Sequence, residues 1–410
     1  MGYQTPWSKR HKLINKDTEY NLSNSFAEPL SHGELVKLSL ARGDRAIVDE
    51  FHDHSLEYTP PGGSLDLKED IANLYEDNIS ADNIIVFAGG QVALQTAAIA
   101  LLNEDDHAIV FTPGYQSVQQ APEHAGCQVT QIQLHPKDNW QIDLSAVEAA
   151  IEHNTKYMII NEPFNPAGTL MSHQLQRQLK DIADKNNIYL MSDEVYRLLE
   201  HNPKDRLPAM AELYDKGISA CTMSKPWGGC GVTIGWLVLQ DLELKQKLID
   251  TQYFGTACIG RASEIQAMMI LRASDTIIES RLAIIRKNLS LLDDFFRQHG
   301  DLFEWNRPSA GAIGYVRFKG PLSADQLAEQ MAAARISVKP APLFSAQSDL
   351  YQDYFRIGFG EQNMPQALSA LIEFIEKNRP DWQAGVRISL PRRSNTSSIS
   401  ASVSGKKDSS

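Results

Sequence analysis

From Ile84 onward the chain alternates short apolar runs with stretches of helical spacing. The runs are Ile84–Phe87, Ala108–Phe111, Val129–Ile132, Tyr157–Ile160, Ile188–Met191, Ile218–Met223 and Val232–Val238, and segments such as Val92–Leu102, Leu144–Ile151 and Gln174–Lys185 lie between them. Continuous apolar strands imply a sheet covered on both faces, and strands that alternate with helices imply parallel crossovers. The pattern predicts an α/β layer: a mostly parallel seven-stranded sheet between helices. After Leu239 the spacing turns helical as far as Gln298, including Arg261–Ala273 and Thr276–Arg297. Strands at Ala312–Phe318 and Phe355–Phe359 then mix with amphipathic helices at Ala324–Ala334 and Pro365–Lys377, which predicts a smaller α+β domain. The expected division is an N-terminal segment over residues 1–50 that joins the small domain, a large domain over 51–285, the small domain over 286–388, and a disordered tail over 389–410, where the composition leaves almost nothing to bury.

Composition narrows the function classes. With 410 residues and 42% of them hydrophobic, the chain can bury a sizeable core. Lys+Arg 39 against Asp+Glu 51 gives a net charge of −12, which opposes binding to a phosphate backbone. Four cysteines with no CxxC pair suggest neither a disulfide framework nor a zinc site; they read as reduced, mostly buried thiols of a cytoplasmic protein. No signal-peptide core opens the chain and no window approaches eighteen apolar residues, so no membrane span or export is expected. Gly2 invites a myristoylation reading, but Pro6 stands where that motif needs Ser or Thr.

The chemistry concentrates at strand ends. Thr222-Met223-Ser224-Lys225-Pro226-Trp227-Gly228-Gly229 follows a buried strand. A lysine there reads either as a surface residue or as an amine whose pKa falls on desolvation, so that it attacks an aldehyde. Asn161-Glu162-Pro163-Phe164-Asn165-Pro166-Ala167-Gly168 follows an earlier strand and Ser192-Asp193-Glu194-Val195-Tyr196 the next. Each alone is a turn or a helix cap. Together, at the C-terminal ends of parallel strands, they describe one crevice.

In order and spacing, these motifs resemble the pyridoxal-phosphate enzymes of the aminotransferase class I/II family, fold type I, over about residues 20 to 380. The resemblance implies that Lys225 forms a Schiff base with pyridoxal 5'-phosphate and then moves the Cα proton, while Asp193 pairs with the pyridine nitrogen and keeps it protonated. It also implies that Asn165 and Tyr196 donate to the ring phenolate oxygen and that Tyr115, in Thr112-Pro113-Gly114-Tyr115, stacks on the ring. Ala88-Gly89-Gly90-Gln91 before a helix supplies phosphate-binding N–H groups, with Gly90, Gln91, Thr222 and Ser224 as donors. Tyr58 matches the family tyrosine that reaches the phosphate of a neighbouring subunit, which implies a homodimer. Arg356, in Tyr354-Phe355-Arg356-Ile357-Gly358-Phe359, resembles the arginine that grips the substrate α-carboxylate. Glu28, where the family's N-terminal segment crosses the pocket, is a candidate partner for a cationic substrate side chain. One position departs: Thr233 stands where the family commonly carries an arginine that clamps the phosphate.

An aminotransferase exchanging amino groups between an amino acid and a 2-oxo acid by a ping-pong scheme is the leading reading. The Ser-rich stretch before Gly33-Glu34-Leu35 and the AGGQVAL and TPGYQS loops also look similar to capreomycidine synthase and its relatives, which eliminate water from a hydroxyarginine and cyclise the product. Pyridoxal-phosphate arginine oxidases and hydroxylases are cousins, but Phe26 stands where the hydroxylating members carry histidine. A regulator fused to a DNA-binding helix-turn-helix is opposed by the acidic charge and by the roughly 35 residues before the fold, too few for such a domain.

Overall fold

A computed structural model describes residues 18–345 and 350–383. The expected tail over 389–410 lies outside the described residues. A two-residue strand, β1 (Tyr20–Asn21), opens them. The seven strands anticipated from the apolar runs follow as β2 (Ile84–Phe87), β3 (His107–Thr112), β4 (Gln128–Gln133), β5 (Thr155–Asn161), β6 (Tyr189–Asp193), β7 (Gly217–Thr222) and β8 (Gly235–Leu239), and they form one sheet in the order β2-β8-β7-β6-β5-β3-β4. The pairings β3·β4, β3·β5, β5·β6 and β6·β7 are parallel, whereas β8 runs antiparallel to both β2 and β7. Every residue of β3, β7 and β8 is buried, as a sheet covered on both faces requires. The edge strand β4 is mostly accessible along its length.

The last of these strands begins later than its apolar run. Cys230–Val232 form a 3₁₀ turn and Thr233 adopts a left-handed conformation at φ 55°, so pairing starts only at Gly235. That glycine is dictated by contact: a Cβ on it would fall 2.4 Å from the Gly90 nitrogen.

Helices Leu242–Thr256, Arg261–Arg272 and Ser274–Gln298 then carry the chain to a second sheet. Its strands are β9 (Phe303–Trp305), β10 (Ile313–Phe318), β12 (Lys339–Pro340) and β13 (Tyr354–Gly358), in the antiparallel order β12-β13-β10-β9, while β11 (Ile336–Ser337) pairs in parallel with β1. Helices Ala324–Ala333 and Met364–Gln383 accompany this sheet. No helix among the described residues is long and apolar enough to cross a membrane. Of the four free cysteines, Cys127 and Cys221 are buried, Cys258 is half-buried and Cys230 is exposed, so burial is less general than the composition suggested.

Candidate active site

The register of the large sheet sets the site. Asn161 on β5 stands opposite Asp193 on β6, which stands opposite Ala220 on β7. β5 and β6 therefore end level, β7 runs two residues further to Thr222, and the loops leaving the three strands carry Asn165, Tyr196 and Lys225. Asn161 ties two of these loops together: its amide donates to the Asp193 carbonyl at 2.8 Å and its Oδ1 accepts from the Asn165 N–H at 2.7 Å.

Asp193 is 3% exposed, and its Oδ1 has no hydrogen-bond partner among the described residues. Burial raises its pKa to about 7, against the pull of the Val195 N–H and the Lys225 charge. The half-buried Lys225 amine moves the opposite way: burial first, and the Arg356 charge second, bring it down to about 8. Its Nζ donates to Ser25 Oγ at 3.1 Å. Burial pushes Tyr196 up to about 12, with Arg356 and Ser25 pulling back, and no well-formed hydrogen bond reaches its hydroxyl.

Across the cleft, Arg356 on β13 is 1% exposed. Nη1 donates to Asn165 Oδ1 at 2.9 Å and Nη2 to the Ser23 carbonyl at 2.8 Å, Nε has no partner among the described residues, and the guanidinium lies 5.2 Å from the Phe344 ring centre. Among the described residues no carboxylate forms an ion pair with it. A guanidinium that has lost its water and faces only neutral acceptors is arranged to receive an anion from outside.

The phosphate-loop candidates also converge. Gly89, at φ 101°, caps the helix Gly90–Leu101, whose first N–H groups are therefore free to bind an anion. A Cβ on Gly90 would meet Thr222 Cβ at 3.4 Å. Thr222 Oγ1 donates to the Ile234 carbonyl at 3.0 Å and lies 3.3 Å from Ser224 Oγ. Gln91 Nε2 donates to the Tyr115 hydroxyl at 2.6 Å, so the ring-stacking and phosphate candidates are held as a pair. Thr233 sits beside this loop, its methyl 3.8 Å from where a Gly89 Cβ would be, and its hydroxyl turns to the Gly231 carbonyl at 3.4 Å.

Two candidates stand apart. Tyr58 is 91% exposed, on a loop anchored where Thr59 Oγ1 donates to the Ile259 carbonyl at 2.6 Å. Glu28 accepts from the Gln362 N–H at 2.7 Å, on the loop after β13, so its carboxylate is engaged away from Lys225. Three residues were not anticipated: Ser25, Phe344 and Lys339. Lys339 stands opposite Arg356 in the β12–β13 register, so the two side chains share a face of the sheet. Burial, then Arg356 and Lys225, bring its pKa down to about 6. A single lysine inside the run Ile336-Ser337-Val338-Lys339-Pro340 was the available signal.

Comparison with known proteins settles the class to which this cleft belongs. Residues 36–371 match the model of the family described as aminotransferase class I and II, and the chain belongs to that family. A probable aspartate aminotransferase of Methanocaldococcus jannaschii is 25% identical over 372 residues, covering 87% of this chain and 96% of the relative. A PLP-dependent aminotransferase from Streptococcus suis superposes with a TM-score of 0.83 at 24% identity, covering 90% and 97% of the two chains. A PLP-dependent cyclase, OrfR, superposes at 0.80 with 24% identity, covering 92% and 99%. The fold is the type I pyridoxal-phosphate fold, and the cofactor of the family is pyridoxal 5'-phosphate. The residues present fit that group: the unpartnered Asp193 oxygen suits a protonated pyridine nitrogen, the Tyr196 hydroxyl lacks a full partner, and the Gly89–Gly90 turn opens a helix toward a phosphate.

Proposed function

We propose that this aminotransferase uses Lys225 as the amine that bonds the cofactor aldehyde and then carries the proton at substrate Cα, with Arg356 receiving the α-carboxylate. When bound, pyridoxal 5'-phosphate supplies an aldehyde for the amino group and a ring that accepts electrons from Cα. Asp193 holds the ring nitrogen, Asn165 and Tyr196 address the ring oxygen, and Tyr115 covers the ring. Gly90, Gln91, Thr222 and Ser224 bind the phosphate. The observation that carries the reading is the buried Arg356 guanidinium, held by Asn165 and lacking any acid partner among the described residues, in the cleft that contains Lys225 and Asp193.

Residues 51–285 and 286–388 are proposed as the large and small domains, with residues 1–50 joining the small one. A homodimer is supported by the exposure of the large apolar side chains Leu56, Tyr58 and Phe254, each above 90%. In that dimer Tyr58 reaches the partner's phosphate. A cytoplasmic location agrees with four cysteines none of which is bridged. Glu28 is assigned to a cationic substrate side chain; Glu28→Gln then weakens arginine and spares neutral amino acids, and equal losses on both would remove that role.

The experiment is an amino-donor panel beginning with aspartate, the substrate in the names of the relatives, each with a 2-oxo acid acceptor. Stoichiometric formation of a new 2-oxo acid and a new amino acid supports transamination. Water loss and ring closure on a hydroxyarginine, without amino transfer, would replace it with cyclisation.

A further inference from the structure

The N-terminal strap touches the reacting lysine through one side chain. Leu22 N–H donates to the Ser337 carbonyl at 2.9 Å and the Leu22 carbonyl accepts from Gly358 N–H at 2.7 Å, which fixes the strap to β11 and β13. Ser23 offers its carbonyl to Arg356, and Ala27 N–H donates to the Lys225 carbonyl at 3.0 Å. Ser25 lies between these anchors, none of which uses its side chain. Its Oγ accepts from Lys225 Nζ at 3.1 Å and also faces Tyr196, whose pKa it pulls down. The neighbouring hydroxyl is that of Tyr196.

We propose that Ser25 is a positioning residue for the reaction: its hydroxyl, held by the strap, fixes the free Lys225 amine and stabilises its protonated form beside Tyr196. The proposal rests on Lys225 being the reacting amine. The free amine is the form that takes a proton and the ammonium the form that returns it, and an ammonium with three rotatable hydrogens needs an acceptor to hold it in line. The groups around it leave Ser25 that task. Asp193 from β6 and Cys230 from the following loop favour its charge, while Arg356 from β13 disfavours it and Lys339 from β12 shares its field. Among the described residues none of these forms a hydrogen bond with Nζ.

The test uses Ser25→Ala and Ser25→Thr. In cofactor-free protein, the pH dependence of Lys225 acylation by acetic anhydride, read on its peptide by mass spectrometry, gives the titration of the amine directly. Loss of an acceptor for the ammonium lowers that titration point in Ser25→Ala by about half a pH unit or more, and Ser25→Thr retains it. In the loaded enzyme, Ser25→Ala lowers kcat about tenfold, consistent with one lost hydrogen bond of about 1.4 kcal/mol, with the amino-acid KM unchanged and threonine restoring the rate. An unmoved Lys225 titration overturns the proposal, and so does a moved titration with unchanged kcat. Borohydride fixation of the cofactor on a peptide other than Lys225's would instead defeat the functional reading, whatever Ser25 does to the titration.

Discussion

The two walls of the cleft solve opposite electrostatic problems. On the large-sheet wall, burial raises a carboxyl: Asp193 sits near 7 with an unpartnered oxygen. On the small-sheet wall, Arg356 and Lys339 share a face with no carboxylate paired to Arg356 among the described residues, and burial pulls both cations down. Under the proposed function the first wall meets the positive ring and the second the negative substrate group. Each therefore holds an unfavourable buried group that its ligand relieves, so that binding energy and stability are linked at both.

The largest break in this comparison is Lys225→Ala. Loss of the group that moves the proton should cost about 10⁴-fold in kcat, and borohydride should no longer fix the cofactor to the chain. A variant that kept a reducible linkage would move the chemistry away from the large-sheet wall. Arg356→Ala strikes the other wall. It should raise KM for every α-amino acid alike, by a loss of about 2–5 kcal/mol for truncating one partner of a buried charge pair. A fall in kcat at constant KM would show that the two walls do not divide the work in this way.

Thr233→Arg comes next. Restoring a cation beside the Gly89–Gly90 turn should slow cofactor release during dialysis by roughly tenfold or more, as one charge-assisted bond allows. Thr233 already holds a left-handed φ, so an unbranched side chain there adds no backbone strain beyond what the threonine bears. An unchanged release rate would mean that the turn and Thr222 alone set retention.

The pH dependence of stability is the most diagnostic. An acid raised from about 3.9 to about 7 holds its proton more tightly in the folded protein, so Asp193 makes cofactor-free protein lose stability as pH rises from 4 to 7. A lysine lowered from about 10.4 to about 6 holds its proton less tightly, so Lys339 makes stability increase as pH rises from 6 to 10. Thermal unfolding against pH should therefore show Asp193→Asn flattening the acid side of the profile and Lys339→Met flattening the alkaline side. If both variants flattened the same side, the opposition of the two walls would be wrong.

The walls also differed in how far they could be read from the sequence. The large-sheet wall is written locally: β5, β6 and β7 are buried apolar runs, and Asn165, Asp193, Tyr196 and Lys225 follow them within a few residues. Arg356 was legible because its whole strand resembles a family pattern. Lys339 was not, because its importance lies in a register with Arg356 that pairs a two-residue strand. Ser25 meets Lys225 across 200 residues of chain, a contact that no periodicity encodes. The delayed start of β8 was hidden for a similar reason, since it answers to the approach of Gly90 rather than to the apolar run itself.

The strap gives the chain an unusual order of assembly. Ser23 is made early, yet its carbonyl meets Arg356 333 residues later, and Ser337 Oγ reaches back 316 residues to Asn21. During synthesis the sheet that carries Asp193 and Lys225 can close while the N-terminal residues still lack both of their partner strands. Loop closure of that length is slow relative to the local pairings that build the large sheet. The Arg356 half of the cleft can therefore close only once β13 has been made, and a nascent chain stalled before it holds Asp193 and Lys225 with no guanidinium facing them.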